Sequence, residues 1–255
     1  MRKTALITGA SSGIGYELSK VFAKNGYNLV LVSRNMGKLN TVSEEIEKQH
    51  DVQVKVIPKD LRKSASPQEI YDEVAADSIN IDVLVNNAGI ETCGKLTETR
   101  TEKHMDLIQL NITSLTMLCK LFGADMVKKG SGRILNVAST AAFQAGPLMS
   151  TYYASKAYVL LFSEAIKNEL KKDNVAVTVL CPGPTQTEML KRIGTKLDRS
   201  PYKMSAAKVA EIGFSGLLKG KTIVIPGLIN KLLAFSVRLV PRKIATYLAS
   251  SLNQK

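Results

Sequence analysis

Tyr152 and Lys156 are four residues apart, a spacing that places both on one face of a helix. A phenol has a pKa of about 10 and is a poor acid or base near neutrality. An ammonium beside it favours the phenolate and lowers that value. Tyr153 points about 100° away around the same helix, with no lysine four residues further on. Ser139 lies thirteen residues before Tyr152, just after an apolar run. If that run is a parallel strand, Ser139 sits at its carboxyl edge, where ligands gather in open α/β sheets.

A second group of residues suits a phosphate. Thr8-Gly9-Ala10-Ser11-Ser12-Gly13-Ile14-Gly15 follows the first apolar run and opens the first amphipathic segment. Glycines permit the tight turn and the close approach of backbone to a pyrophosphate, and a helix N-terminus offers unpaired N–H groups. The spacing is TGxxxGxG rather than GxGxxG. The second apolar run ends in Val32-Ser33-Arg34, with no Asp or Glu between Lys24 and Arg34. An NAD site usually places a carboxylate here for the ribose 2′-hydroxyl. A guanidinium suits a 2′-phosphate instead, so NADP(H) is expected in preference to NAD(H).

These groups need a frame, and the chain alternates two kinds of segment. Strands are predicted at Thr4–Thr8, Leu29–Val32, Val52–Ile57, Ile81–Val85, Gly132–Val137, Val175–Leu180 and Thr222–Ile225. Helices are predicted at Gly13–Asn25, Lys38–Gln49, Pro67–Ala76, Thr101–Lys128 and Thr151–Lys172. Such alternation gives right-handed crossovers and a parallel sheet covered by helices on both faces. No linker or repeat divides residues 1–255, so one dinucleotide-binding and catalytic domain is expected, with 226–255 as an apolar and basic helical extension.

With its Thr8-Gly9-x-x-x-Gly13-x-Gly15, Asn86-Asn87-Ala88-Gly89, Asn111, Ser139, Tyr152-x-x-x-Lys156 and Pro182-Gly183, the sequence resembles the short-chain dehydrogenases/reductases across nearly all of residues 3–225. The resemblance implies a doubly wound Rossmann fold, with a seven-stranded parallel sheet of order 3-2-1-4-5-6-7. It implies an oxidoreductase that reduces a ketone or aldehyde, or reversibly oxidises an alcohol, by hydride transfer from a nicotinamide cofactor. Tyr152 would be the general acid, and Ser139 would orient and polarise the carbonyl. Lys156 would hold the nicotinamide ribose, and Asn111 would hold a water behind it. Gly9, Ser11, Ser12, Gly13, Ile14 and Gly15 would cradle the cofactor phosphates, with Ser12 and Arg34 at the 2′-phosphate. Asp60 and Leu61 would lie by the adenine, Asn87, Ala88 and Gly89 by its ribose. Pro182, Gly183, Thr185 and Thr187 would hold the nicotinamide. Ala138 departs from the family, where many members have a second serine. A non-enzymatic NADPH-binding sensor or scaffold is the alternative, but a scaffold would be expected to lose Tyr152, Lys156 or Ser139.

Composition narrows the rest. Hydrophobic residues are 45% and charged residues 22% of the chain, a globular mixture. No run of about 18 uninterrupted apolar residues suggests a membrane-spanning helix, and the start is too short in apolar residues for a signal peptide. Cys93, Cys119 and Cys181 have no CxxC spacing and read as free thiols in a reducing, cytoplasmic setting. His50 and His104, the only histidines, read as surface residues, so no metal site is expected.

The net charge is +13, and residues 188–255 hold 13 basic against 3 acidic side chains. The basic residues are scattered and match no nucleic-acid motif, so no nucleic acid partner is expected. An apolar or anionic carbonyl substrate is expected, contacted from 90–96, 141–151 and 185–204. Phe143, Pro147, Leu148, Met149, Met189 and Leu190 are candidate apolar lining. A homodimer or homotetramer is also expected. The segment Leu228–Val240 is apolar with sparse basic residues. Packing over the substrate pocket is the favoured use for it, then an oligomer contact, with peripheral membrane contact last.

Overall fold

In the computed structural model, which describes residues 2–254, the strand–helix alternation winds into one parallel sheet. The first half runs β1 (Thr4–Thr8), α1 (Gly13–Lys24), β2 (Asn28–Ser33), α2 (Met36–Gln49), β3 (Val54–Pro58), α3 (Ser66–Ala76) and β4 (Val83–Asn86). Next come α4 (Thr101–Ile108), a π-helical segment (Gln109–Ser114), α5 (Leu115–Lys129), β5 (Gly132–Val137), α6 (Ser150–Leu170) and β6 (Val175–Leu180). The remainder is β7 (Thr185–Gln186), α7 (Glu188–Ile193), β8 (Met204–Ser205), α8 (Ala206–Leu218), β9 (Ile223–Val224), α9 (Leu228–Ser236) and α10 (Arg242–Asn253). The sheet order is β3-β2-β1-β4-β5-β6-β9, and β7 with β8 forms a separate two-stranded ladder. Counting the sheet's own strands, this is the expected order 3-2-1-4-5-6-7.

Alternation along each strand divides the core in two. Leu6, Val30, Leu84 and Ile134 face one layer with Ile70, Phe122 and Val159 from the helices. Ile7, Leu31, Val85 and Leu135 face the other with Leu18, Phe22, Ile46 and Phe214. Among the described helices, α8 is one the sequence reading did not place; it packs on α1 and completes that second layer.

The helix expected over Thr101–Lys128 is interrupted by the π segment. The wider turn lets Asn111 face Ile90 with both ends of its amide, while Leu110 and Leu115 stay in the core. Thr101–Lys129 together is 29 residues long, with an 18-residue window of mean hydropathy 1.3. By length and composition alone that could cross a bilayer, although the segment holds no uninterrupted apolar run of about 18 residues. Here, however, its Leu107, Leu115, Leu118, Phe122 and Met126 are buried in the protein.

Candidate active site

The order reverses between β1 and β4, and this is where a crevice opens at the strand carboxyl ends. Thr8 ties its two walls together. Its hydroxyl accepts from the Asn87 and Ala88 backbone N–H groups, both at 3.0 Å, and its carbonyl accepts from the Asn87 amide at 2.9 Å. The glycine loop lies over this point. Gly9 has φ +68°, and a Cβ on it would fall 2.8 Å from the Asn87 amide nitrogen, so only glycine fits. Ser12 precedes α1 in extended conformation and does not cap it, which leaves the first-turn N–H groups of α1 to a ligand. Ser33, at the end of β2, has a buried hydroxyl with no partner among the described residues, and it too lines the crevice. Capacity for hydrogen bonding therefore faces a space of the kind a dinucleotide requires.

That space is a cavity of about 1060 Å³. Its walls include Gly9, Ser11, Ser12, Gly13, Ile14, Arg34, Asp60, Leu61, Asn87, Ala88 and Gly89 at one end. Ser139, Tyr152, Lys156, Pro182, Gly183, Thr185 and Thr187 line the other. Two expected site residues are not on the wall. Gly15 is buried beneath the loop, one turn before Ser19, whose hydroxyl donates to its carbonyl at 2.9 Å. Asn111 is buried behind the wall: its amide donates to Ile90 O at 2.9 Å and to Ser155 Oγ at 3.1 Å, and its oxygen accepts from Ile90 N at 3.0 Å. It reaches the site through Gly89, whose α-carbon faces both Asn111 Oδ1 and Lys156 Nζ.

Ser139 stands just beyond β5 and caps a short 3-10 turn, its hydroxyl accepting from Ala141 N at 3.1 Å. Tyr152 and Lys156 project from the first turns of α6, and Lys156 Nζ donates to Val137 O at 2.9 Å. Burial pushes the Tyr152 phenol well above its usual range, opposed by a hydrogen bond with Ser139. Burial also draws the Lys156 ammonium down to about 8. In the free protein, then, desolvation outweighs the mutual effect expected of this pair. Tyr153 points away, as its position on the helix requires, and donates to Asn253 Oδ1 on α10 at 3.0 Å.

Asp60 lines the cavity with its carboxylate held by Arg62, whose Nε lies 3.0 Å from Oδ1 and Nη2 2.6 Å from Oδ2; that contact depresses its pKa. Arg34 is exposed on the same rim, where its charge also helps depress the Asp60 pKa, and Lys38 lies on the wall as well. Thr187 caps α7, accepting from Leu190 N at 3.3 Å, and its methyl lies over Gly13.

Several contributors escaped the sequence reading. Glu91 follows β4, and burial lifts its carboxyl to about 7 against the pull of Arg192 on α7 and of Lys156. A lone Glu in a loop gives no signal in sequence. The C-terminal segment brings Leu233, Val237, Leu248 and Leu252 to the cavity wall, while Leu228, Leu232, Phe235 and Leu239 of the same stretch face outward. Of the candidate apolar lining, Met149, Met189 and Leu190 are on the wall, whereas Phe143, Pro147 and Leu148 are not. Phe143 packs into the core instead, and the Pro147 carbonyl accepts from Asn253 at 2.9 Å. His104 is half-buried rather than a free surface residue, with Nδ1 2.8 Å from Thr151 Oγ1.

The sequence profile of the short chain dehydrogenase family matches residues 3–198. The chain is 36% identical over 205 residues to 17-beta-hydroxysteroid dehydrogenase type 3 of Mus musculus, covering 78% of this chain and 66% of the mouse protein. It is 33% identical over 223 residues to very-long-chain 3-oxoacyl-CoA reductase of Anas platyrhynchos, covering 85% of this chain and 70% of that one. The chain thus spans about two thirds of the length of these relatives. Among solved structures, a short-chain dehydrogenase from Sphingobium yanoikuyae in complex with NADPH superposes with a TM-score of 0.84 and 31% identity, over 93% of each chain. A profile match that runs from β1 into the segment beyond α7, on a fold shared over nearly the whole length, establishes that this chain belongs to the short-chain dehydrogenase family.

Proposed function

We propose that this protein reduces an apolar ketone or aldehyde to the alcohol with NADPH, Tyr152 giving the proton to the carbonyl oxygen. The observation that carries this reading is the meeting of Ser139, Tyr152 and Lys156 on one wall of the cavity whose other end is the glycine loop. When bound, the nicotinamide supplies the hydride. The chain does the remaining work. Ser139 offers a hydroxyl to the carbonyl oxygen and is itself fixed by Ala141 N. The buried phenol keeps its proton across neutral pH, which suits reduction, since hydride added to the carbonyl carbon leaves an oxygen that must take a proton. Lys156 sets a positive charge beneath the site, and Asn111 supports the wall from behind through Ile90 and Ser155. Positioning of this kind supplies several kcal/mol, and a well-placed acid about 10²–10⁴-fold.

Three observations support NADPH over NADH: Arg34 and Lys38 at the end of the crevice beside β2, the unpartnered Ser33 hydroxyl, and the NADPH named in the Sphingobium relative. The apolar walls from Met149, Leu190, Leu233 and Leu248 support a greasy substrate, in the range of the steroid and long-chain oxoacyl compounds named in the relatives. The exposed Met105 on α4 and Leu161 on α6 suit a homo-oligomeric contact. The three free cysteines suit a reducing compartment such as the cytoplasm.

The test is a panel of steroid ketones, 3-oxoacyl thioesters and small aldehydes, followed by loss of NADPH absorbance and repeated with NADH. Turnover of an apolar carbonyl with NADPH, absent in Tyr152→Phe, is the expected result. Tight NADPH binding with no turnover of any carbonyl would favour the non-enzymatic reading instead.

A further inference from the structure

Helices α9 and α10 bury the wrong residues for an ordinary surface helix. The inward side carries Asn230, Ala234, Ala249 and Asn253. The outward side carries Leu228, Leu232, Phe235, Leu239, Ile244 and Tyr247, which are 50–75% exposed. The first four are spaced by four, three and four residues, which keeps them on one helical face through the turn that ends α9. This orientation is held from within by polar contacts. Asn230 donates to Pro226 O at 2.8 Å and packs on Gly183. Asn253 accepts from the Tyr153 hydroxyl and donates to Pro147 O. The outward leucines and aromatics therefore have no packing role in the chain itself. Contiguous apolar surface of this kind marks an interaction site.

Charge decides what covers it. Lys231 on α9, Arg238 in the turn after it, and Arg242 and Lys243 on α10 are exposed, and the sequence has no acidic residue after Glu211. A second copy docked by two-fold symmetry would set this basic face against itself. Nucleic acid would accept the charges but not the leucine stripe. An anionic bilayer accepts both, with apolar side chains at the acyl boundary and basic ones among the headgroups.

We infer that the outer face of α9 and α10 docks on an anionic phospholipid surface. One flank of these helices, with Leu233, Leu248 and Leu252 about half exposed, borders the substrate cavity, so docking sets the cavity beside the bilayer. Passage of an apolar substrate from lipid to the site rests on the function proposed above; the docking itself does not.

The experiment is co-sedimentation of the full chain with vesicles of phosphatidylcholine alone, or with about one third phosphatidylserine, a content that gives a negative surface potential. The protein is expected to sediment with the anionic vesicles only, and less so as salt is added. Lys231→Glu and Lys243→Glu should each raise the lipid concentration for half-binding by about fivefold or more. Leu232→Ser, Phe235→Ser, Leu239→Ser and Tyr247→Ser together should raise it more than tenfold, with unchanged melting temperature and unchanged turnover of a water-soluble carbonyl. Failure to bind anionic vesicles at low salt overturns the inference. So does a fourfold serine variant that binds like wild type, or a self-association that this variant abolishes without any vesicle binding. None of these overturning results depends on turnover, so each leaves the reductase reading intact.

Discussion

Glu91→Gln should stabilise the protein, increasingly as pH rises from about 4.5 to about 7 and fully above that. Burial is the main cause that lifts the Glu91 carboxyl from its ordinary 4.5 to about 7, with Arg192 and Lys156 pulling the other way. Each pH unit between these values is worth about 1.4 kcal/mol, so ionising Glu91 in the folded chain costs about 3 kcal/mol. For an acid with a raised folded pKa, the folded state still holds its proton between 4.5 and 7 when the unfolded chain has released it. Stability therefore falls as pH rises through that window, and the loss is complete above about 7. Glutamine has the same shape and no charge to bury. The variant should match wild type near pH 4.5 and exceed it by about 3 kcal/mol at pH 8, an increase of about 5–10 °C in melting temperature for a chain of this size. The assay is thermal unfolding without cofactor at a series of pH values. An equal shift at every pH, or none at pH 8, would refute the assignment of a buried carboxylate here. Arg192→Ala should act in the opposite direction at pH 8, since it removes the nearest favourable charge. That the chain keeps a costly carboxylate beside Lys156 and Tyr152 fits the usual exchange of stability for function at active sites.

Tyr152→Phe should lower kcat at least a hundredfold, while fluorescence titration shows NADPH still bound; Tyr153→Phe should retain most turnover. Arg34→Ala should raise the KM for NADPH by about 10–100-fold, the equivalent of a charge-assisted contact of about 1.5–3 kcal/mol, and leave the KM for NADH unchanged. Asn253→Ala leaves the Tyr153 hydroxyl and the Pro147 carbonyl without their partner. It should cost about 1–3 kcal/mol in chemical denaturation and open the segment after Pro241 to limited proteolysis.

Most of the sheet was legible because its signals are local. A parallel strand buried on both faces is an apolar run, and its crossover helix shows a period near 3.6; both are properties of neighbours along the chain. The edges were less exact for the same reason. Val52 and Ile81 continue the apolar pattern of their strands, but pairing begins only at Val54 and Val83, where β2 and β1 offer partners. The catalytic pair was legible because four residues on a helix fix a shared face without any knowledge of the fold. The glycine loop was legible because its turn demands glycine wherever it is placed.

Other features depended on contacts between distant parts of the chain. Nothing near Asn111 announces a π turn; it follows from the fit of that side chain to Ile90, 21 residues away. Glu91 acquires its character from burial and from Arg192 on a helix a hundred residues further on. Residues 228–240 read as apolar in the sequence, with packing over the substrate pocket as their favoured use; Leu233 and Val237 do line the cavity, but Leu228, Leu232, Phe235 and Leu239 form a stripe on the outer face. Only the assembled structure turned it out, because Asn230 and Asn253 find their partners at Pro226, Tyr153 and Pro147. Sequence determined which segments would be strands and helices and which side chains could share a face. Tertiary structure alone decided which face each helix would bury, since that depends on polar partners up to about a hundred residues away and on the desolvation they impose.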